Sequence, residues 1–204
     1  SRYELKKFLL GYSMTTLAGF RNHFRHHPEH FLTITHSTHF RLQLMNKTNE
    51  ILFRDANLAD AEALGAMLPQ LADFDIPSKR LPEQLWSGDL EMLNAILAGE
   101  KPDSFIKVAI DSDAPQRILG LAMITLRAEL FNKEPSAHLE ALVVNTDARG
   151  FGVGRRLLAH AEDCVRERGA RSLTLHVFSN NHRARSLYDD FGFDSELIRA
   201  VKWL

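Results

Sequence analysis

The sequence predicts an α/β domain in which helices cover a mixed β-sheet. Short apolar runs with strand-like alternation recur from residue 51 onward, and segments with helical periodicity lie between them. Proline and glycine residues separate these segments, as expected where elements end. The predicted strands lie at residues 51–54, 105–110, 118–126, 138–144, 172–178 and 197–203, and the predicted helices at residues 57–71, 83–97, 152–168 and 182–190.

Local signals define the elements of the first half. Pro77 and Pro82 mark the break before the second helix, and a polar turn at residues 111–115 joins the next two strands. Asn57 together with Asp60 starts the first helix, whose inner face is predicted to hold Leu58, Ala61, Leu64, Met67, Leu68 and Leu71.

Length and composition bound the class of protein. The 204 residues divide most naturally into one domain of about 150 residues and an extension. A hydrophobic content of 45% and a charged content of 25% are ordinary for a soluble protein, and no apolar run approaches the ~18 residues of a membrane span. The single cysteine, Cys164, excludes an intramolecular disulfide and favours a reducing compartment. We therefore predict a cytoplasmic protein with Cys164 in its core.

The two predicted parts of the chain differ in charge. Residues 51–204 contain 18 Lys and Arg against 23 Asp and Glu, whereas residues 1–50 contain 7 against 3. A mildly acidic domain is a poor nucleic-acid binder but a suitable host for cationic amines. The expected partners therefore include neither nucleic acid nor a membrane.

Residues 1–50 are predicted to be a basic, histidine-rich extension of a domain at residues 51–204. Met45 lies just before the first predicted strand, so the preceding segment is either foreign to the domain or a true extension. A metal site is one hypothesis for its histidines, and a polar tail is the favoured alternative. The histidines that could share a helical face are His23, His26, His27 and His30.

A glycine-rich stretch at residues 149–155 is the most informative segment. An apolar strand precedes it, and a helix with an apolar stripe follows it. This order directs unpaired backbone N–H groups and the positive end of a helix dipole at one point, which makes an anion site. Gly150, Gly152 and Gly154 let the backbone approach a diphosphate, while Arg149 and Arg155 add positive charge. The segment predicts binding of a phosphorylated cofactor.

Two common phosphate loops do not fit this stretch. A Walker loop ends in Gly-Lys-Ser/Thr, whereas this segment ends in Gly-Arg-Arg. A dinucleotide-binding loop needs Gly-x-Gly-x-x-Gly and an acidic residue about 20 residues later, where this chain has Leu173 and Thr174. The remaining pattern is Arg-x-x-Gly-x-Gly, at Arg149, Gly152 and Gly154.

A second motif follows at residues 181–193. It reads Asn-x-x-Ala-x-x-x-Tyr-x-x-x-Gly-Phe, beginning at Asn181 and including Tyr188. The two motifs, in this order and with a strand between them, resemble the signatures of the GNAT family of N-acetyltransferases over about residues 51–204. The resemblance implies a mixed, mostly antiparallel central sheet flanked by about four helices, with acetyl-CoA as the co-substrate.

The same resemblance implies a cofactor site. In the family, the loop holds the pyrophosphate of acetyl-CoA, the preceding strand pairs with the pantetheine arm, and the asparagine of the second motif reaches pantetheine. Arg183 is expected near the nucleotide phosphate, with a solvated helix face as the alternative. The expected cofactor-binding residues are Leu142, Val143, Val144, Arg149, Gly150, Phe151, Gly152, Val153, Gly154, Arg155, Asn181 and Arg183.

Two residues are candidates for catalysis. An amine attacks a thioester only as the free base, so a group that removes its proton is needed. Glu140 is a carboxylate in an otherwise apolar strand, at a place similar to the Leu-Glu pair of spermidine/spermine acetyltransferases, and it is the candidate base. Tyr188 occupies the position where the family commonly places a hydroxyl near the cofactor sulfur, and it is the candidate acid.

Each catalytic assignment has an alternative. Glu140 could be a structural carboxylate bonded to a backbone amide or an arginine, and Tyr188 could only pack beneath the cofactor. His138, two residues before Glu140 on the same face, could relay a proton, but an edge or solvated histidine is the favoured reading.

The acceptor is expected to contact the region between the first two helices, which in this family forms part of the acceptor wall. Acidic and aromatic side chains there suit a cation, although acids in such a loop are commonly just solvated. They are Asp73, Phe74, Asp75, Trp86, Asp89 and Glu91, with Glu129 as a further candidate.

The sequence therefore predicts an enzyme that transfers acetyl directly from acetyl-CoA to a primary amine of a small molecule. Two alternatives remain: a protein N-terminal or lysine acetyltransferase, and an acyl-CoA-binding sensor without turnover. Since family members often dimerise through closing strands, residues 200–204 are the predicted contact of a homodimer.

Overall fold

The computed structural model describes residues 50–204; the predictions for residues 1–49, including the histidine metal site and the polar tail, lie outside the described residues. From residue 50 onward, most elements follow the predicted order. The strands are β1 (Ile51–Asp55), β2 (Ser104–Asp111), β3 (Ala114–Ala128), β4 (Pro135–Val144) and β5 (Ser172–Leu175), and the helices are α1 (Ala61–Met67), α2 (Ser87–Leu97), α3 (Val153–Glu167) and α4 (His182–Asp190).

The five strands form one sheet in the order β1-β2-β3-β4-β5. The pairs β1–β2, β2–β3 and β3–β4 are antiparallel, whereas β5 runs parallel to β4. A parallel pair needs a crossover connection, which α3 supplies. The predicted mixed, mostly antiparallel sheet with four helices is confirmed in the described part of the chain.

The first helical segment is interrupted rather than continuous. Asn57 caps a short 3-10 turn, as its sequence predicts, but α1 ends at Met67 and a second 3-10 turn covers Leu68–Ala72. Pro69 lacks a backbone N–H for the α-helical ladder, which explains the change. Leu58 was predicted on the inner face and is 70% exposed, because it lies in the turn before α1.

Other element boundaries also differ from the prediction, since β3 already begins at Ala114 and β4 at Pro135. Residues 82–85 form a 3-10 turn before α2, and β5 ends at Leu175 rather than at residue 178. The predicted closing strand at residues 197–203 is wrong. In the described structure, this segment has no strand pairing, and apolar side chains such as Ile198 are exposed. Apolar alternation alone does not make a strand, because a strand forms only where its backbone pairs with a neighbour, and the predicted dimer contact therefore lacks the strand on which it was based.

The sheet carries an apolar cluster on each face. One cluster packs against α3, whose buried stripe includes Cys164 at 5% exposure, as predicted. The other packs against α1 and α2, where Leu64 and Leu93 are fully buried. β4 contributes Leu139 to the first cluster but Val143 to the second, which indicates a change of face within the strand.

Candidate active site

A β-bulge at Glu140 accounts for this change of face. Leu139 pairs with Ile124 of β3, and Ala141 pairs with Met123, so Glu140 is one extra residue in β4. A bulge interrupts the ladder and re-aims the side chains around it. Glu140 therefore stands where β4 changes register, not in a regular strand position.

β4 and β5 separate beside this bulge. Their pairing runs from Ser136 and Ser172 to Leu139 and Leu175, and β4 continues past it to Val144. The separation opens a cavity of about 380 Å³ that α2, α3 and α4 also border. Its lining includes every predicted catalytic and cofactor residue except Phe151: Glu140, Leu142, Val143, Val144, Arg149, Gly150, Gly152, Val153, Gly154, Arg155, Asn181, Arg183 and Tyr188.

The glycine-rich loop leads into a helix N-terminus that no side chain caps. Gly150 and Gly152 have φ angles of 84° and 77°, a region that favours glycine. Gly152 is the N-cap of α3 without a side-chain hydrogen bond. Its carbonyl accepts from the N–H of Arg156 at 3.0 Å, so the N–H groups of residues 153–155 have no partner inside the helix. Such an array fits the oxygens of a diphosphate.

Gly154 allows α3 to approach β4 closely. A Cβ atom at this position would lie 3.3 Å from Cγ2 of Val144 and 3.7 Å from Cδ2 of Leu187. The first distance is shorter than ordinary van der Waals contact, so with a larger residue here the Val144 side chain or the helix would have to shift by a few tenths of an ångström. A glycine at this position therefore lets the start of α3 lie close to β4.

The side chain of Arg149 connects the loop to the segment after α1. Its Nε donates to the Val144 carbonyl at 3.0 Å, its Nη2 to Oε1 of Gln70 at 3.0 Å, and its Nη1 to the Asp73 carboxylate. Arg183 lies 3.8 Å from the same carboxylate. The hydrogen bond from Arg149 lowers the pKa of Asp73. Asp73, expected in the acceptor wall, thus lies beside the arginines predicted to meet phosphate.

Two other predicted cofactor residues have partners in or beside α4. Arg155 donates to Asp190 at 2.7 Å. Asn181 is the N-cap of α4, and its Oδ1 accepts from the N–H of Ala184 at 3.2 Å. The cap uses the oxygen of the Asn181 amide and not its Nδ2, so the nitrogen can still donate toward the cavity.

Tyr188 is a protonated phenol that lines the cavity. Its ring contacts Phe193 edge to face, with 5.7 Å between centroids. Burial raises the pKa of Tyr188 to about 12. The hydroxyl is therefore neutral at physiological pH and available as a hydrogen-bond donor.

His138 is a buried histidine, so the favoured edge or solvated reading is wrong. It is 3% exposed, and its Nδ1 lies 2.6 Å from Nη2 of Arg127 and 2.8 Å from Oγ1 of Thr174. Burial, followed by the nearby Arg127 and His176, lowers the pKa of His138 to about 4. The ring is thus neutral at physiological pH.

The imidazole of His138 faces Glu140, as the shared face in the sequence predicts. Nε2 of His138 lies 4.0 Å from Oε2 of Glu140. Because arginine can only donate, Nδ1 is an acceptor and the neutral ring carries its hydrogen on Nε2. This ring can donate toward Glu140 but has no lone pair on Nε2 to take a proton from it, so a relay does not operate through this tautomer.

Asp89 of α2 is the second carboxylate of the cavity. Burial, together with the nearby Glu140 charge, raises the pKa of Asp89 to about 6. Phe74 and Phe178 also line the cavity, with 5.5 Å between their ring centroids. Acidic residues are common in the first turn of a helix, where they interact favourably with the helix dipole. From the sequence alone, this structural role of Asp89 could not be distinguished from a role in the site.

The remaining candidates for the acceptor wall do not line the cavity. They are Asp73, Asp75, Trp86 and Glu91. Glu129 organises its own turn instead, since its Oε2 accepts from the N–H groups of Phe131 and Asn132, both at 2.7 Å.

Sequence reasoning missed the polar neighbours of His138. Arg127 comes from β3, and Thr174 and His176 come from the β5 segment, where the His138 and His176 rings meet at 4.7 Å. Thr174 and His176 are two residues apart, which places them on one face of an extended segment. That polar pair within an apolar run was the signal that could have found them.

The comparison with known families is decisive. Residues 68–193 match the acetyltransferase (GNAT) family. The chain belongs to this family. The uncharacterized N-acetyltransferase YhfO of Bacillus subtilis (strain 168) is 28% identical over 145 residues, 70% of this chain and 89% of the relative. Thialysine N-epsilon-acetyltransferase of Bos taurus is 26% identical over 157 residues, 75% of this chain and 89% of the relative.

Other proteins named as acetyltransferases match over shorter regions or by fold. The [ribosomal protein bS18]-alanine N-acetyltransferase of Salmonella typhimurium is 28% identical over 102 residues, 50% of this chain and 63% of the relative. The structure of a putative acetyl transferase from Pyrococcus furiosus has a TM-score of 0.61 at 21% identity and covers 76% of this chain and 100% of that one. It shares the fold of residues 50–204.

As a GNAT protein, the chain is an acetyl-CoA-dependent N-acetyltransferase. Within residues 50–204, no helix is long and apolar enough to cross a membrane. The same residues contain no group of three or more His, Cys, Asp or Glu side chains arranged to hold a metal ion.

Proposed function

We propose that this GNAT enzyme transfers acetyl directly from acetyl-CoA to a primary amine of a small cationic molecule, with Glu140 as the general base and Tyr188 as a hydrogen-bond donor to the departing sulfur. One observation carries the proposal: Asp89, Glu140 and Tyr188 line the cavity that also contains the glycine-rich loop. The loop suits a diphosphate, whereas the two carboxylates suit an amine.

The carboxylates support a cationic acceptor because nothing in the described part of the chain neutralises them. Within residues 50–204, neither Asp89 nor Glu140 pairs with a lysine or arginine, and the basic side chain that lies 4.0 Å from Glu140 is His138, which is neutral. Partly buried carboxylates without a cation are costly, and two together are more so. An ammonium group bound beside them supplies the missing charge.

Glu140 supports the deprotonation step. Removing the proton from an alkylamine with a pKa near 10 costs roughly 4 kcal/mol at pH 7, and the bulge brings this carboxylate to the cavity. The free amine then attacks the thioester carbonyl. A C–N bond forms, the C–S bond breaks with its electron pair leaving on sulfur, and the second N–H proton of the attacking amine passes through solvent, which leaves a neutral amide and free CoA.

Tyr188 supports stabilisation of the departing thiolate. Its pKa of about 12 lies above the value of ~8.5 for an ordinary thiol, so complete proton transfer would be uphill by roughly 5 kcal/mol. Donation of a hydrogen bond to the developing negative charge has no such cost. We therefore assign Tyr188 to charge stabilisation rather than to full protonation of the sulfur.

The residues of the loop and of β4 would hold acetyl-CoA. The N–H groups of residues 153–155 would bind the pyrophosphate, the backbone of residues 142–144 would pair with the pantetheine arm as an added strand would, and Nδ2 of Asn181 would donate to it. We assign no contact to Phe151, which does not line the cavity.

The relatives include enzymes named for different acceptors, thialysine in one case and ribosomal protein bS18 in the other. The half-buried position of Asp89 and Glu140 favours a small amine over a protein chain end. The single cysteine, buried in the core, supports a reducing compartment such as the cytoplasm.

An acceptor panel tests the proposal. Release of free CoA thiol would be measured with polyamines, basic amino acids, aminoglycosides and a peptide with an N-terminal alanine. We expect turnover with small cationic amines, and Asp89→Asn should raise their KM roughly tenfold because one charged partner is lost. Glu129→Gln is the matched control, since that carboxylate serves only its own turn.

Turnover confined to the peptide would favour a protein acceptor. An Asp89→Asn enzyme with unchanged KM for every cationic amine would remove Asp89 from the acceptor site. Binding of acetyl-CoA without turnover on any amine would favour a sensor.

A further inference from the structure

Arg127 reaches His138 diagonally across the sheet. Thr125 lies opposite His138 in the β3–β4 register, and Arg127 lies two residues further along β3. Diagonal neighbours on one face lie within reach of a long side chain, and Nη2 of Arg127 is 2.6 Å from Nδ1 of His138. This arginine forms no ion pair with a carboxylate within the described residues, so the imidazole is a principal partner.

The contact determines which ring nitrogen carries the hydrogen. A guanidinium has five N–H donors and no acceptor, so Nδ1 of His138 has to present its lone pair to Arg127. The hydrogen of the neutral ring is then on Nε2, which faces Oε2 of Glu140 at 4.0 Å. A movement of about 1 Å by the flexible Glu140 side chain would bring the pair into hydrogen-bond range.

We propose that Arg127 is a positioning residue of the acetyl transfer: it fixes His138 in the Nε2–H tautomer, and His138 in turn holds one carboxylate oxygen of Glu140 so that the other faces the acceptor ammonium. This inference rests on the proposed role of Glu140 as the base. It assigns His138 to orientation of the base and not to proton relay.

Thr174 is the second possible hydrogen-bond donor to Nδ1 of His138, so its effect on the tautomer has to be separated from that of Arg127. Its Oγ1 lies 2.8 Å from Nδ1 of His138 and 3.2 Å from the Ala137 carbonyl, so its hydroxyl can donate to either. If Arg127 fixes the tautomer, Thr174→Val should leave it unchanged, because a donor remains at Nδ1. In Thr174→Val/Arg127→Met both donors to Nδ1 are gone, so His138 should no longer be held in one tautomer. In Thr174→Val/Arg127→Lys a cationic donor returns, so His138 should again be in the Nε2–H tautomer.

The experiment compares Thr174→Val, Thr174→Val/Arg127→Met and Thr174→Val/Arg127→Lys with the wild type. Nitrogen NMR of the histidine side chains reports the tautomer without any need for activity, and thiol release reports kcat and KM. We expect the Nε2–H form in the wild type, in Thr174→Val and in the lysine variant. The methionine variant should mix tautomers and lose roughly tenfold in kcat, the effect of one hydrogen bond on a barrier, with KM for acetyl-CoA unchanged.

Two results would overturn the inference with the proposed function intact. One is an Nδ1–H tautomer of His138 in the wild type. The other is a Thr174→Val/Arg127→Met protein in which His138 keeps the Nε2–H form and kcat is unchanged. Failure of the proposed function has a different signature: Glu140→Gln would retain wild-type kcat, so no base would exist for Arg127 to position. Arg166→Gln, on the exposed face of α3, is the control for general effects of losing an arginine.

Discussion

Arg149 of the glycine-rich loop is paired with Asp73, a residue 76 positions earlier in the chain. The same carboxylate lies 3.8 Å from Arg183, and the adjacent Phe74 packs on Phe178 at 5.5 Å. The segment that follows α1 is therefore joined to both motifs of the family. Asp73 was predicted in the acceptor wall, yet its carboxylate is paired with an arginine predicted to bind phosphate.

Asp73 should compete with the cofactor. Its carboxylate occupies the guanidinium groups of Arg149 and Arg183 that a phosphate would also engage, so Asp73→Asn should tighten binding of acetyl-CoA several-fold. Isothermal calorimetry at low and moderate salt would measure the change, with Asp75→Asn as the neighbouring control. Weaker or unchanged binding in Asp73→Asn would show that the carboxylate supports the site instead of competing for it.

Glu140→Gln should change the pH dependence of turnover. Without the base, the enzyme depends on the free-amine fraction of the acceptor, which rises about tenfold per pH unit below the amine pKa. We expect kcat to fall most at neutral pH and to recover as pH rises, as measured by thiol release from pH 6 to 10. A profile parallel to that of the wild type would remove Glu140 from the mechanism.

His138 should make stability pH-dependent. Its folded pKa of about 4 lies below the unfolded value of about 6.5, so the unfolded chain binds the proton first as pH falls. The contribution of the neutral ring is present above pH ~6.5 and is lost between pH ~6.5 and ~4, by roughly 3 kcal/mol at most.

Urea unfolding at several pH values would measure this slope. His138→Gln should flatten it, while His182→Gln, an exposed position, should not. Some slope will remain in His138→Gln because burial also lowers the pKa of His160. An identical slope in His138→Gln and the wild type would contradict the assignment.

Gly120 should tolerate no side chain. A Cβ atom there would lie 2.9 Å from the backbone carbonyl of Val143 in the neighbouring strand, and backbone in the middle of a sheet cannot move easily. Gly120→Ala should therefore lower the free energy of unfolding by about 2 kcal/mol. Gly88→Ala in α2 is the control, because nothing lies within 4 Å of its Cβ position and alanine favours a helix. Equal stability of the two variants would contradict the steric argument.

The sequence predicted the features that depend on short-range patterns. Apolar periodicity located all five strands and the main body of each helix, and the glycines of residues 150–154 located the uncapped N-terminus of α3. These features follow from local conformational preference and one-sided burial. The break at Pro69 also had a local cause, although the apolar stripe on either side concealed it.

Features that depend on distant parts of the chain were not predictable in this way. The pairing of Arg149 with Asp73 and the meeting of Asp89 with Glu140 require elements to be placed in space first. The bulge at Glu140 depends on the register with β3, which a single strand does not encode. Residues 197–203 show the converse, since they carry the apolar alternation of a strand but form none within the described structure.

The most direct test is thiol release by the wild type and Tyr188→Phe on a small cationic amine, with acetyl-CoA binding measured by calorimetry in the same samples. We predict tight binding in both proteins and a kcat at least about tenfold lower in the variant, because the donor to the departing sulfur is lost. A Tyr188→Phe enzyme with wild-type kcat, or a wild-type protein that does not bind acetyl-CoA, would contradict the account.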